Sequence, residues 1–306
     1  GQGLGSGLGS QDPVILSKNG RWLFAVNAGS NEVSVFAVYP TGLVLTDKVA
    51  SGGERPTSLT VRNNRLFVLN AGDPGNITGF RLNGQGKLTP LAASTGLLSN
   101  NGVGAAPAPA QVSFSPDGNY LVVTERATNL IGLYRVNQQG VVTGPVTTPS
   151  SGATPFGFAF AGDDTLVVSE AFGGAANASA VSSYQLKNGQ LQLVSASVPT
   201  GETAACWIVI SKDGKLAYTT NAGSASLSGY QIGRAGGLTL FAGRAGETGV
   251  DTGPTDAGKS RDGRLIYVLS PRSQTVIGFV MQANGSLVAI GSFGGLPANA
   301  AGVAGW

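Results

Sequence analysis

Two acidic residues, Glu125 and Glu170, stand at the ends of short apolar runs whose sister runs end in Asn27, Asn70, Asn221 and Ser270. A carboxylate so placed can take a proton from water, and a neighbouring arginine can stabilise an oxyanion. Arg126 directly follows Glu125, so Glu125, Glu170 and Arg126 form the candidate catalytic set: a general base, its acidic counterpart, and a cation for the substrate. Side chains suited to holding a polar ring recur at the same level of the pattern. Asn27, Asn70 and Asn221 come from the run ends, and Arg55, Gln111, Trp207 and Asp256 from the starts of the preceding runs, beside Gln11, Phe156, Cys206 and Asn299. A structural role competes at each position. Asn at a strand end bonds nearby backbone N–H groups, Glu enters salt-bridged structure, and Trp207 is either a platform for a sugar or lactone ring or a packed core aromatic.

Composition narrows the chemistry further. The 306 residues contain no His and one Cys, which removes Ser/His/Asp and Cys/His nucleophiles, HExxH zinc sites and any cysteine metal cage. No metal and no cofactor is expected, and Cys206, without an imidazole to activate it, reads as an inert thiol. Lys and Arg (19) barely outnumber Asp and Glu (16) and are scattered singly, so nothing resembles a basic stripe for nucleic acid. No uncharged apolar run is long enough to suggest a membrane span. The 48 glycines and 42% hydrophobic content fit a globular, β-leaning chain.

The elements that must position these residues follow from an internal repeat. A turn of the type Ser115-Pro116-Asp117-Gly118 recurs as Ser17-Lys18-Asn19-Gly20, Ser211-Lys212-Asp213-Gly214 and Ser260-Arg261-Asp262-Gly263, with looser copies at 62–64 and 162–164. Each copy is followed by a strand, at 22–27, 66–70, 120–125, 166–170, 216–221 and 265–270, whose polar ends lie 43, 55, 45, 51 and 49 residues apart. A third strand then repeats an aromatic at one step (Phe36, Phe80, Tyr134, Tyr184, Tyr230, Phe279), and a fourth follows a Gly turn. Periods of roughly 40 to 50 residues with four short strands each are the mark of propeller blades. The expected fold is therefore all-β, a single propeller domain over 1–306 with seven blades, the seventh incomplete. Residues 1–10 form a Gly/Ser-rich lead-in and 297–306 the first strand of the broken blade, whose unpaired edge invites self-association through strand addition. Lys259 stands where sister copies have Phe114, Phe160 and Ile210, so it is expected to face inward or to be strained.

The repeat resembles the lactonase family of seven-bladed propellers, the group that includes bacterial 6-phosphogluconolactonase and fungal 3-carboxy-cis,cis-muconate lactonising enzyme. The resemblance is carried by LFAVNAGS (23–30) with Val33 to Phe36, FSPDG (114–118), TPFGFAF (154–160), SEAFGG (169–174), TAACW (203–207) with TNAGS (220–224), and DGRLIYVL (262–269). It implies a metal-independent lactone hydrolase or cycloisomerase working at a channel mouth on a small lactone or sugar-like ligand. The muconate-lactonising members use a His with Glu and Arg, and with no His here that assignment does not carry over. The 154–207 block resembles a secreted, cyclase-like branch, and a start at Gly1 without Met fits a removed export signal; the expected location is extracellular or periplasmic. Blades also serve as scaffolds, so a non-catalytic secreted propeller for binding or assembly is the alternative reading.

Overall fold

The computed structural model describes residues 1–162 and 164–305 of the chain, so Asp163 and Trp306, each part of an expected element, lie outside the described residues. The chain divides into two compact units, 1–148 and 149–306, and each is described by itself.

The first unit holds three antiparallel sheets with strands in sequence order. They are β1 (Val14–Leu16), β2 (Trp22–Asn27), β3 (Glu32–Tyr39) and β4 (Gly42–Ala50); β5 (Pro56–Arg62), β6 (Arg65–Asn70), β7 (Asn76–Leu82), β8 (Leu88–Pro90) and β9 (Gly96–Leu97); and β10 (Pro109–Phe114), β11 (Tyr120–Glu125), β12 (Leu130–Val136) and β13 (Val142–Pro149). In the second sheet β8 and β9 both pair with β7, so its outer strand is one edge broken in two. The interruption is held by Ser94, whose Oγ accepts from Gly79 N and donates to Leu91 O.

The second unit repeats the design in three more sheets. These are β14 (Pro155–Ala161), β15 (Thr165–Glu170), β16 (Ala180–Lys187) and β17 (Gln190–Pro199); β18 (Ala205–Ile210), β19 (Leu216–Asn221), β20 (Ser226–Ile232) and β21 (Leu238–Glu247); and β22 (Ala257–Lys259), β23 (Leu265–Ser270), β24 (Thr275–Met281) and β25 (Leu287–Phe293). The one helical element among the described residues is a 3-10 turn, Phe172–Gly174.

The repeated turn works through side-chain chemistry. In four copies the Ser hydroxyl donates to Asn19, Asp117, Asp213 or Asp262 and accepts the N–H of the next strand's first or second residue (Trp22, Tyr120, Leu216, Leu265). The glycine closing each turn has φ between 68° and 77°, a left-handed conformation that a Cβ would penalise. Serine hydrogen bonds hold the Asp213 and Asp262 carboxyls below the usual carboxylate range. This local wiring explains why the second strands begin where the repeat places them.

Consecutive sheets stack through apolar side chains. Trp22, Phe24 and Val35 of the first sheet meet Leu66, Val68 and Phe80 of the second, and Tyr218 and Leu227 of the fifth meet Val268, Phe279 and Leu287 of the sixth. Each such side chain taken from water contributes about 1.5–3 kcal/mol. Phe67 and Phe114 meet edge to face at 5.5 Å between the second and third sheets.

Two expectations are corrected. The described residues form six sheets, and residues 297–305 make no strand. β22 is the innermost strand of the sixth sheet and pairs with β23, and the tail lies along β22 without joining the sheet, with Val303 N donating to Asp256 Oδ2 at 3.2 Å. Lys259 does not face inward: the residue is exposed, and only its ammonium tucks against the neighbouring sheet, donating to Ile210 O at 2.8 Å, where desolvation of that end and then the Lys212 charge lower its pKa.

Candidate functional site

Five of the six innermost strands start from an uncommon backbone. Arg55, Ala108, Thr154 and Ala204, immediately before β5, β10, β14 and β18, and Asp12, two residues before β1, have φ between 51° and 60°. In β5, β10, β14 and β18 the pairing with the next strand then slips at Pro56/Ser58, Pro109/Gln111, Pro155/Phe158 and Ala205/Ile208. Such bulges turn a side chain out of the regular alternation. Chemistry at these starts therefore depends on which residue occupies the slot.

In the first unit the slots bring together a polar cluster. Gln111 donates from Nε2 to Asp12 Oδ2 at 2.9 Å, and Gln11 N donates to Ala110 O at 3.1 Å. Arg126 donates through both its backbone N and its Nε to Ala108 O at 3.2 Å, with its guanidinium against Gly9. Gln111 is buried, while Asp12 and Arg126 are half-buried. Burial pushes the Asp12 carboxyl up to about 6, partly opposed by the Gln111 hydrogen bond. A carboxyl with that value can exchange a proton near neutral pH. The repeat pattern points to Gln111 and Arg126 but passes over Asp12; the signal for it is the residue preceding Pro in Asp12-Pro13, Arg55-Pro56, Ala108-Pro109 and Thr154-Pro155. Arg55 occupies the same slot in the second sheet, exposed, with Nη2 donating to Ala71 O at 2.7 Å.

The second-strand ends behave differently, because strand alternation turns them into the sheets. Glu125 is fully buried: Oε1 accepts from Ser99 N at 2.9 Å, and Oε2 from Ser99 Oγ and from Thr128 Oγ1 at 2.8 Å. Arg126 lies in the turn that follows β11, where its guanidinium donates to Ala108 O, away from the Ser99 and Thr128 partners of Glu125. Glu170, also fully buried, accepts at Oε1 from Gly152 N (2.8 Å), Ser182 Oγ (2.6 Å) and Ser150 Oγ (3.4 Å), and at Oε2 from Ser197 Oγ (2.7 Å). Their partners are hydroxyls and backbone N–H groups. Asn27 donates to Ser34 Oγ, Asn70 to Asn76 Oδ1, and Asn221 to Ser226 Oγ and Ser228 Oγ, so all three reach their own third strands. The two glutamates, each held by several donors, tie together strands and connections of their own sheets, while Oδ1 of Asn70 and of Asn221 is buried with no hydrogen-bond partner among the described residues.

Trp207 is 5% exposed and packs on Phe156 with ring centroids 5.0 Å apart, the geometry of a core aromatic. Cys206 is buried, its Sγ donating to Ala204 O at 3.2 Å. Asp256 is buried and accepts from Ala257 N at 2.9 Å as well as from Val303 N. Among the described residues no three His, Cys, Asp or Glu side chains are grouped to hold a metal, and no helix is long and apolar enough to cross a membrane.

Four-stranded antiparallel sheets repeated in sequence, with bulged inner strands, define an all-β propeller. The family described as "Lactonase, 7-bladed beta-propeller" matches residues 7–103 and 76–207, together about two thirds of the chain, and the chain belongs to it. Similar solved structures include a putative 6-phosphogluconolactonase from Bacteroides fragilis (21% identity, TM-score 0.73, covering 93% of this chain and 84% of that one). Another is a putative 6-phosphogluconolactonase from Bacteroides uniformis (17%, 0.76, 94% and 86%). A third is the periplasmic gluconolactonase of Pseudomonas aeruginosa (20%, 0.71, 92% and 84%). At these identities the likeness is one of fold. No curated protein sequence matches the chain.

Proposed function

We propose that this protein hydrolyses a small sugar lactone, with the Asp12 carboxylate as the base that activates water. The observation carrying the reading is the Asp12 carboxyl itself, half-buried at the start of an innermost strand and held by Gln111, where burial pushes its pKa up to about 6. Membership of the lactonase family supports the reaction class, and the lactonase names of the similar structures support a sugar lactone as substrate. In the reaction Asp12 takes a proton from water as the oxygen bonds to the lactone carbonyl carbon. The ring C–O bond then breaks, and the leaving alkoxide takes back the proton held by Asp12, giving the hydroxy acid and restoring the carboxylate. Gln111 positions the carboxylate, and Arg126 is the nearby cation for negative charge developing on the carbonyl oxygen. Every group in this scheme is a side chain, so the reading uses no metal. Glu125 and Glu170 act in it as clasps within the sheets.

The test is acid release from a small aldonolactone such as glucono-1,5-lactone, followed with a pH indicator. Asp12→Asn should lower turnover by about 100-fold or more, the scale of losing a general base. The wild-type rate should rise with pH through about 6 as Asp12 ionises. Unchanged turnover in Asp12→Asn would overturn the assignment, and a folded wild type that turns over no aldonolactone would return the protein to a binding or assembly role.

A further inference from the structure

Lysines and arginines stand singly in the sequence, yet strand register gathers three of them at one end of the second sheet. Arg62, the last residue of β5, lies opposite Arg65 at the start of β6, and Arg65 lies opposite Arg81 on β7. Directly paired residues share a face, so three guanidiniums stand in a row across two strand spacings, about 10 Å. Alternation along β6 fixes which face. Leu66 and Val68 pack on the first sheet and Phe67 and Leu69 on the third, so the row faces the third sheet. It sits beside the turn at 115–118, at the end of β10 away from Gln111 and Asp12.

Like charges placed opposite one another repel, and here nothing neutralises them. Burial and then the charges of Arg81 and Arg62 lower the Arg65 pKa. Arg65 is nonetheless fixed in place: Nη1 donates to Asn137 O at 2.5 Å, Nη2 to Gly118 O at 3.4 Å, and the guanidinium lies 5.4 Å from the centre of the Phe114 ring. Arg62 runs along Gly118, where its Nε is buried with no hydrogen-bond partner. Among the described residues neither Arg62 nor Arg81 has a side-chain hydrogen bond, and none of the three arginines has an ion pair. Asp117 feels the Arg62 charge, but its carboxylate is already held by Ser115 Oγ, Asn119 N and Asn119 Nδ2.

We infer that the arginine row binds a doubly charged tetrahedral oxyanion, either inorganic phosphate or the phosphate group of a monoester. Guanidinium forks match phosphate oxygens, and three cations without a paired carboxylate call for a ligand carrying more than one negative charge. Arg65 is the fixed floor of the site. The outer N–H groups of half-buried Arg62 and exposed Arg81 close on the ligand from either side. The site is separate from the hydrolysis proposed at Asp12, so either can fail alone.

Equilibrium dialysis of the intact chain against labelled inorganic phosphate, at constant ionic strength in chloride, tests this. One phosphate should bind per chain, and phosphate should raise the melting temperature above that in chloride of equal ionic strength. Arg62→Gln and Arg81→Gln, at side chains with no hydrogen bond to lose, should keep the wild-type circular dichroism while each weakens phosphate binding by about tenfold or more. Without phosphate, Arg81→Gln should melt no lower than the wild type, since it removes a like-charged neighbour. Glycerol 3-phosphate that competes at least as well as unlabelled phosphate would identify a monoester as the ligand, and weaker competition the free ion; both outcomes support the site. A chain that binds no phosphate at millimolar concentration would overturn the proposal. So would binding undiminished in both variants, or stabilisation that chloride reproduces.

Discussion

Glu170→Gln separates a clasp from a catalytic base, because the two roles predict opposite outcomes in two assays. Gly152 N and Ser182 Oγ can keep an oxygen at the Oε1 position, while the new amide NH2 takes the place of Oε2 beside Ser197 Oγ, whose hydroxyl must reverse its role. A hydrogen bond to a charged acceptor contributes about 1.5–3 kcal/mol against about 0.5–1.5 for a neutral one, so three good bonds lose about 3 kcal/mol together. Removing a buried charge returns part of its desolvation cost, leaving a net loss of about 2 kcal/mol. For a domain of this size that lowers the melting temperature by about 3 °C. Thermal unfolding by circular dichroism and lactone turnover per folded molecule should both be measured, and turnover should stay within about threefold of wild type. Glu170→Ala, which orphans four donors, should cost about 4–6 kcal/mol, at about 1–3 for each donor less what water recovers. A Glu170→Gln protein that melts like the wild type but turns over about 100-fold more slowly would refute the clasp and restore Glu170 as a base.

The raised Asp12 pKa carries a stability consequence of defined sign. Its stabilising share is fully present below the unfolded value of 3.8 and is lost as pH rises through about 6. Denaturant titrations should therefore find Asp12→Asn more stable than wild type above pH 6, by at most about 3 kcal/mol, and little different near pH 4. The buried tyrosines should show in an alkaline titration followed by absorbance. Burial pushes Tyr218 up to about 12, and burial reinforced by the charges of Glu125 and Glu170 pushes Tyr134 and Tyr230 higher. Tyr134 and Tyr230 should ionise only with unfolding, and the native state should weaken as pH climbs above 10; reversible ionisation of all three near pH 10 in folded protein would contradict their packing.

What could be read in advance depended on how local its cause is. The second strands at Trp22–Asn27, Tyr120–Glu125, Leu216–Asn221 and Leu265–Ser270 begin and end where the repeat places them, because a four-residue turn with its own side-chain hydrogen bonds starts each one. The direction of a side chain at a strand end is not local. Glu125 and Arg126 are neighbours in sequence, yet the last residue of β11 sends its carboxylate to Ser99 and Thr128 while the first residue of the following turn sends its guanidinium to Ala108. Ser99 lies in a connection that no repeat predicts, so a catalytic pair and a clasp look alike in the sequence. Asp12 escaped for a related reason: burial raises its pKa, and its hydrogen-bond partner is a glutamine 99 positions away. Trp207 shows the same limit, since only packing against Phe156 separates a platform from a core residue.

The left-handed slot before five of the six inner strands has a consequence for how such a protein changes over time. Aspartate, arginine, threonine and alanine all occupy it at Asp12, Arg55, Thr154, Ala108 and Ala204 with φ values within about ten degrees of one another, so the turn is held by its surroundings and not by the identity of its occupant. Reactive groups can then be exchanged there without rebuilding the sheets, whereas a change at Glu125 or Glu170 disturbs the scaffold. New specificities should arise by substitution at the slots, one at a time, on a framework whose buried carboxylates stay put.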